Sequence, residues 1–142
     1  MLRNIPPILS PELLKVLREM GHADDIVLVD ANYPAASGAK NLIRLDGTQV
    51  TDLLDAILQF FPLDTFVEDN VFLMRHRESE PKPEIWDEFH SIIQKRDFEK
   101  GFSEFTLIDR MDFYEYAKKA YAIVQTSTTA RYANIGLKKG VI

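Results

Sequence analysis

Residues 21–34 read GHADDIVLVDANYP, and this stretch carries the pattern around which the rest of the chain is organised. Its centre, Ile26 to Val29, is a short apolar run that predicts a strand covered on both faces. A titratable side chain flanks the run on each side, His22 before it and Asp30 after it. Because loops at strand ends present side chains from a rigid sheet in α/β proteins, we expect functional residues here.

On both sides of this stretch, helical and strand patterns alternate along the chain. Ser10 and Pro11 are typical of a helix start, and Gly21 is predicted to end that first helix in a left-handed conformation. Asp112 and Glu115 have the spacing of a capping box. The patterns predict helices over 11–20, 50–61, 83–96 and 112–120, strands over 26–29, 41–45, 71–74, 105–108, 122–126 and 134–137, and a loop over 32–40.

These elements predict one α/β domain over residues 1–142. The expected architecture is a layered sandwich, in which helices cover both faces of a largely parallel or mixed sheet. A chain of this length can bury roughly two thirds of the surface that its unfolded form exposes, so one core is sufficient.

Composition excludes several classes of function. The 17 basic and 22 acidic residues give a net charge of -5 and are spread along the chain, which argues against nucleic acid or an anionic membrane as a partner. No apolar run approaches the roughly 20 residues of a membrane span. The chain contains no Cys, which fits a reducing compartment, and we expect a cytoplasmic protein.

Few residues remain that could carry out chemistry. The chain has no Cys nucleophile and no glycine-rich phosphate loop, and the spacing of His22, His76 and His90 gives no support to a metal site. General acid/base chemistry is left, with His22 as the candidate because an imidazole can exchange a proton near neutral pH. The alternative is that His22 caps a helix and Asp30 caps a turn, and the pattern alone favours this structural interpretation.

Several segments resemble one known family, in the order in which they occur there and over nearly the whole chain. These are SPELL (10–14), MGHADDIVL (20–28), DANYP (30–34), FYEYAKKA (113–120), YANI (132–135) and LKKGV (137–141). Together they resemble the L-fucose mutarotase and D-ribose pyranase family.

This resemblance implies an enzyme that interconverts the anomers of a free monosaccharide without a cofactor or a metal. The family's proton donor falls on His22. Its substrate-binding positions fall on Asp30, on Arg110 and on Tyr132, Ala133 and Asn134. Anomer exchange needs a proton delivered to the ring oxygen and a proton removed from the anomeric hydroxyl, which these residue types can serve.

Each of these residues also has a structural interpretation, which the sequence leaves open. Arg110 could pair with Asp109 or Asp112, Tyr132 could be a half-buried core aromatic, and Asn134 could be a turn residue. If the site is catalytic, we expect Asp30 to accept from sugar hydroxyls and to orient His22.

The same resemblance bears on the sugar and on assembly. Arg110 and the closing LKKG (137–140) resemble the fucose branch, whereas Tyr132-Ala133-Asn134 has the form of the ribose branch, and Thr126-Ser127-Thr128 departs from the fucose-branch loop. Three hypotheses follow, of which the first is favoured: an L-fucose mutarotase, a D-ribose pyranase or an enzyme that acts on both sugars, and a sugar-binding protein without turnover. The family further implies ring-like homo-oligomers, commonly decamers, with sites near the subunit contacts.

Overall fold

Six strands and five helices follow one another along the chain in the computed structural model, which describes residues 1–142. The strands are β1 (Asp25–Val29), β2 (Leu42–Arg44), β3 (Val71–Met74), β4 (Thr106–Ile108), β5 (Ala122–Gln125) and β6 (Ile135–Lys138). The helices are α1 (Pro11–Glu19), α2 (Ala35–Gly38), α3 (Val50–Leu58), α4 (Ile85–Arg96) and α5 (Arg110–Lys119). All the predicted strands and helices are present, and α2 is an addition within the predicted loop.

The strands form one sheet in the order β2-β5-β1-β6-β3-β4. β1 pairs in parallel with β5 and antiparallel with β6, and β6 also runs antiparallel to β3. The outer pairs, β2 with β5 and β3 with β4, are parallel. The predicted sheet is therefore confirmed in its mixed form, with β6 as the one reversed strand.

The reversal of β6 decides which loops meet. The carboxyl ends of β1, β3, β4 and β5 lie at one end of the sheet, and the amino end of β6 lies at that same end. Asp30, which follows β1, and Asn134, which precedes β6, are consequently neighbours although they are far apart in sequence. Strand ends of this kind are where α/β sheets bind ligands.

Both faces of the central strand β1 are buried, as its apolar run predicts. Ile26 and Leu28 belong to the core under α1, α3 and α4, whereas Val27 and Val29 belong to a second core under α2 and α5. All four side chains are fully buried, because successive residues of a strand point to opposite faces of its sheet. Helices thus cover both faces of the sheet. No helix combines the length and the apolar character of a membrane-spanning segment.

Two helix ends differ from their predictions. Gly21 does not adopt a left-handed conformation, because α1 ends at Glu19 and the carboxylate of Asp24 accepts the Gly21 backbone N–H at 2.7 Å; the left-handed residue is Ala23, with φ 68°. The capping box at Asp112 is also wrong, since α5 begins at Arg110. The chain enters α5 directly from β4, which places Arg110 at the same end of the sheet as Asp30 and Asn134.

Candidate functional site

A cavity of about 200 Å³ lies at the carboxyl end of β1. It is small, open and largely polar, which suits one small hydroxylated molecule better than a drug-sized apolar ligand. Four of the five predicted substrate-binding residues line it, while Ala133 is fully buried directly behind it between two of them. The lining residues are Asp30, Asn32, Tyr33, Met74, Arg77, Arg110, Tyr114, Arg131, Tyr132 and Asn134.

Asp30 is held rigidly at the floor of this cavity. Its backbone N–H donates to Asn134 Oδ1 at 2.9 Å, its Oδ1 accepts the Asn32 N–H at 3.0 Å, and its carbonyl accepts from the Gln125 side chain at 2.5 Å. Only 6% of the residue is exposed. Burial raises the pKa of the Asp30 carboxyl, although hydrogen bonds from Asn32 and the 132–134 turn oppose the shift.

Tyr132 forms the wall of the cavity and stands in a strained turn. Its backbone is left-handed, with φ 59°, and the indole N–H of Trp86 fixes its carbonyl at 3.0 Å. Its phenol hydroxyl donates to Glu80, which also pairs with Arg131 at 2.5 Å. The hydrogen bond from Tyr132, followed by the charge of Arg131, lowers the pKa of Glu80, so this carboxylate is a charged anchor for the ring.

Arg110 stands at the first position of α5 and faces the cavity. The alternative that it pairs with Asp109 or Asp112 does not hold, because Asp109 accepts instead from Arg75 at 2.8 Å and no ion pair joins Arg110 to Asp112. Its guanidinium is exposed and can donate to oxygen atoms of a bound molecule.

His22 lies at the opposite end of β1 from this cavity and is not among its lining residues. The five residues of β1 separate the two ends, roughly 16 Å at about 3.3 Å per residue. Asp30 therefore does not orient the His22 of its own chain, contrary to the expectation from the sequence. Within one chain, the structure brings Asp30, Arg110, Tyr132, Ala133 and Asn134 together and leaves His22 apart.

The imidazole of His22 has a different carboxylate partner, Asp64. Nε2 of His22 lies 3.2 Å from each carboxylate oxygen of Asp64, and the His22 ring contacts Phe66 at 5.3 Å between centroids. The Asp64 side chain is 2% exposed and that of His22 is 45% exposed. The Nε2 side of the imidazole is thus fixed to the protein, while nearly half of the side chain is exposed to solvent.

Sequence reasoning did not find Asp64, Glu80, Arg77 or Arg131. Asp64 reaches His22 because a bridge pairs Leu63 with Lys139, a contact between distant parts of the chain. Glu80 and Arg77 lie in a charged loop that reads as a solvated connection. No local pattern marks these residues. The structure holds no group of three or more His, Cys, Asp or Glu side chains that could bind a metal ion.

A family model described as the RbsD / FucU transport protein family matches residues 3–142. The chain belongs to this family. The RbsD/FucU match spans nearly every residue of the chain and confirms the resemblance that the short segments carry.

Relatives within the RbsD/FucU family agree with this assignment. The chain is 44% identical to the L-fucose mutarotase of Haemophilus influenzae over 143 residues, which cover 99% of this chain and 97% of the relative. It is similar to the crystal structure of the fucose mutarotase of Streptococcus pneumoniae in complex with L-fucose, with a TM-score of 0.93, 47% identity and 99% of both chains covered. Bacillus subtilis RbsD, complexed with D-ribose, shares the fold at a TM-score of 0.75 and 23% identity, over 94% of this chain and 95% of that one.

Proposed function

We propose that this chain is an isomerase that interconverts the α and β anomers of free L-fucose as a single mutarotase domain. The observation that carries the proposal is the polar cavity at the end of β1, in which Asp30, Arg110, Tyr132 and Asn134 converge. Support comes from relatives that carry the name L-fucose mutarotase at 44% identity over almost the full chain.

The cavity offers the contacts that a free sugar needs. Asp30 accepts hydrogen bonds from sugar hydroxyls, and Arg110 and Asn134 donate to sugar oxygens. Tyr132 gives an aromatic face against which an apolar face of the sugar ring can pack. These groups hold the sugar while its hemiacetal opens.

Anomer exchange proceeds by ring opening and reclosure. The anomeric hydroxyl loses a proton, the bond between the anomeric carbon and the ring oxygen breaks, and the ring oxygen gains a proton. The resulting aldehyde rotates about its bond to the second carbon and closes again from the other face. One imidazole that exchanges protons in both directions suffices, and His22 is the residue proposed for this role.

His22 reaches a bound sugar only if a second copy of the chain supplies it. One chain holds His22 and the Asp30 cavity at opposite ends of β1, so we propose that the cavity of each copy meets the His22 surface of its neighbour. That surface carries exposed apolar side chains, Phe66 at 71% and Val67 at 43%, which a neighbouring copy would cover. A closed ring of such head-to-tail contacts makes every site complete.

A decameric assembly is the finer form of this proposal, and it rests on the family resemblance. Native mass spectrometry of the purified protein measures the number of copies, and a monomer at enzyme-assay concentration would refute the shared site. A cytoplasmic location stays a prediction from the sequence.

Exchange spectroscopy with several sugars tests the proposed function. We expect added protein to accelerate exchange between the α and β anomeric protons of L-fucose more than exchange in D-ribose or D-galactose. Acceleration confined to the pyranose and furanose signals of D-ribose would favour a D-ribose pyranase, which the ribose-branch form of residues 132–134 makes the second candidate. Binding of a sugar without faster exchange would indicate a sugar-binding protein.

A further inference from the structure

Asp64 is a buried carboxylate that the sugar cavity does not use. Its backbone is fixed at two points, because its N–H donates to the Lys138 carbonyl at 3.0 Å and its carbonyl accepts from the Asn70 side chain at 2.9 Å. Gly140 allows this segment to approach β6, since a Cβ there would lie 2.5 Å from the Leu63 carbonyl oxygen. Asp64 is therefore set in place before any ligand binds.

The carboxylate of Asp64 has two hydrogen-bonding partners, the Phe66 backbone N–H and Nε2 of His22. Oδ1 accepts the Phe66 N–H at 3.0 Å, which forms the turn that presents the Phe66 ring to His22. Both oxygens also face Nε2 of His22 at 3.2 Å. An ionised carboxylate can only accept hydrogen bonds, so in this geometry Nε2 of His22 carries the proton.

We propose that Asp64 is the positioning residue of the reaction: it selects the His22 tautomer with the proton on Nε2 and thereby makes Nδ1 the atom that exchanges a proton with the sugar. The proposal rests on the proposed function, in which His22 is the acid/base group. Because Asp64 is 2% exposed and His22 is 45% exposed, the carboxylate stays behind the imidazole, and Nδ1 is left for the sugar. In functional histidines generally, the hydrogen bond made by one ring nitrogen determines whether the other nitrogen donates or accepts a proton.

Asp64→Asn tests the proposal with little change in shape. With its oxygen on the Phe66 N–H, the amide places an NH₂ group at the other position that faces Nε2. An acceptor nitrogen pairs with that donor, so the substitution favours the tautomer with the proton on Nδ1. We expect kcat for anomer exchange to fall by about 10²-fold or more, in the range that general acid/base catalysis contributes. KM should stay nearly constant, since Asp64 does not line the sugar cavity.

The tautomer itself is read by ¹⁵N NMR of the imidazole nitrogens without any sugar present. The chain has three histidines, so His22→Ala assigns the signals of His22. We expect Nε2 to be the protonated nitrogen in the natural protein and Nδ1 in Asp64→Asn. Asp24→Asn is the matched control, because its carboxylate accepts from the Gly21 backbone rather than from the His22 ring, and it should change neither the tautomer nor kcat.

The outcomes separate this proposal from the proposed function. A proton on Nδ1 in the natural protein, or an unchanged tautomer in Asp64→Asn, overturns the positioning role whatever the activity. An inverted tautomer with an unchanged kcat also overturns it. Absence of anomer exchange by the natural protein, with the tautomer as expected, overturns the proposed function instead.

Discussion

Mixing two inactive variants tests whether each site takes residues from two copies of the chain. His22→Ala removes the proposed acid/base group, and Asp30→Asn removes the acceptor at the floor of the cavity. His22→Ala alone should lower anomer exchange by about 10²-fold or more, the usual contribution of a general acid or base. Asp30→Asn alone should lower it by roughly 10-fold to 10²-fold, as for the loss of a hydrogen bond to a charged group. Oligomers that contain both variants should regain activity, because some of their sites combine an intact His22 with an intact Asp30.

The size of the recovery follows from the geometry. A shared site is intact only when the copy that supplies His22 carries the Asp30 defect and the copy that supplies Asp30 carries the His22 defect. With equal amounts of the two variants and random assembly, the copy that supplies His22 has an intact His22 in half of the sites, and the copy that supplies Asp30 has an intact Asp30 in half of the sites. Both residues are therefore intact in about one quarter of all sites. The roughly 16 Å that β1 places between the two residues forbids a site within one chain.

The assay is anomer exchange in L-fucose with co-expressed variants purified through two different tags. His22→Ala carrying both tags is the control, and it should show no recovery. Exchange near a quarter of the natural level supports the shared site. Mixed oligomers with no more activity than the single variants would refute it.

Three further predictions concern the residues that support the site and the fold. Glu80→Gln removes the charged partner that fixes the Tyr132 hydroxyl. KM for L-fucose should therefore rise by roughly threefold to tenfold, as for a lost charge-assisted hydrogen bond. An unchanged KM in steady-state kinetics would contradict this prediction. Gly140→Ala puts a Cβ 2.5 Å from a backbone carbonyl oxygen and should lower the free energy of unfolding by about 1–3 kcal/mol in urea titrations. Arg96 lowers the pKa of Asp55 through hydrogen bonds of 2.9 and 3.1 Å, so Asp55→Asn should lower the free energy of unfolding by about 1 kcal/mol at pH 7. A carboxylate with a lowered pKa stabilises the folded state above the pKa of the unfolded state, near pH 4, so this loss should shrink as the pH falls below 4. Equal losses at pH 7 and pH 3 in urea titrations would contradict this prediction.

The elements of the fold could be predicted from the sequence because their patterns are local. The apolar run from Ile26 to Val29 predicts a doubly covered strand, and the structure buries it on both faces. The four residues of α2 span about one turn, too few for a helical period to be visible. The predicted start of α5 is wrong because Asp112 and Glu115 have the spacing of a capping box without forming one. The helix begins at Arg110, directly after the chain leaves β4.

The substrate cavity was predictable in part, for a topological reason. Asp30 is marked by its position after the apolar run, whereas Asn134 is identified only through the family resemblance. The reversed strand β6 brings the Asp30 backbone N–H within 2.9 Å of Asn134 Oδ1. Asp64 was not predictable, since it is 42 positions from His22 in the sequence and reaches it only through tertiary contacts such as the bridge between Leu63 and Lys139. Glu80 and Tyr132 are likewise 52 residues apart. Pairs of this kind depend on tertiary contacts that no short pattern encodes.

Saturation transfer between the anomeric protons of L-fucose measures directly whether the protein accelerates anomer exchange. The α proton is saturated while the β signal is followed, with the natural protein and with Asp30→Asn at equal concentration. We predict that the natural protein transfers saturation to the β signal in proportion to its concentration and that Asp30→Asn transfers roughly 10-fold to 10²-fold less, because it loses a charged acceptor for the sugar hydroxyls. A β signal that is the same with and without the natural protein would contradict the proposed function.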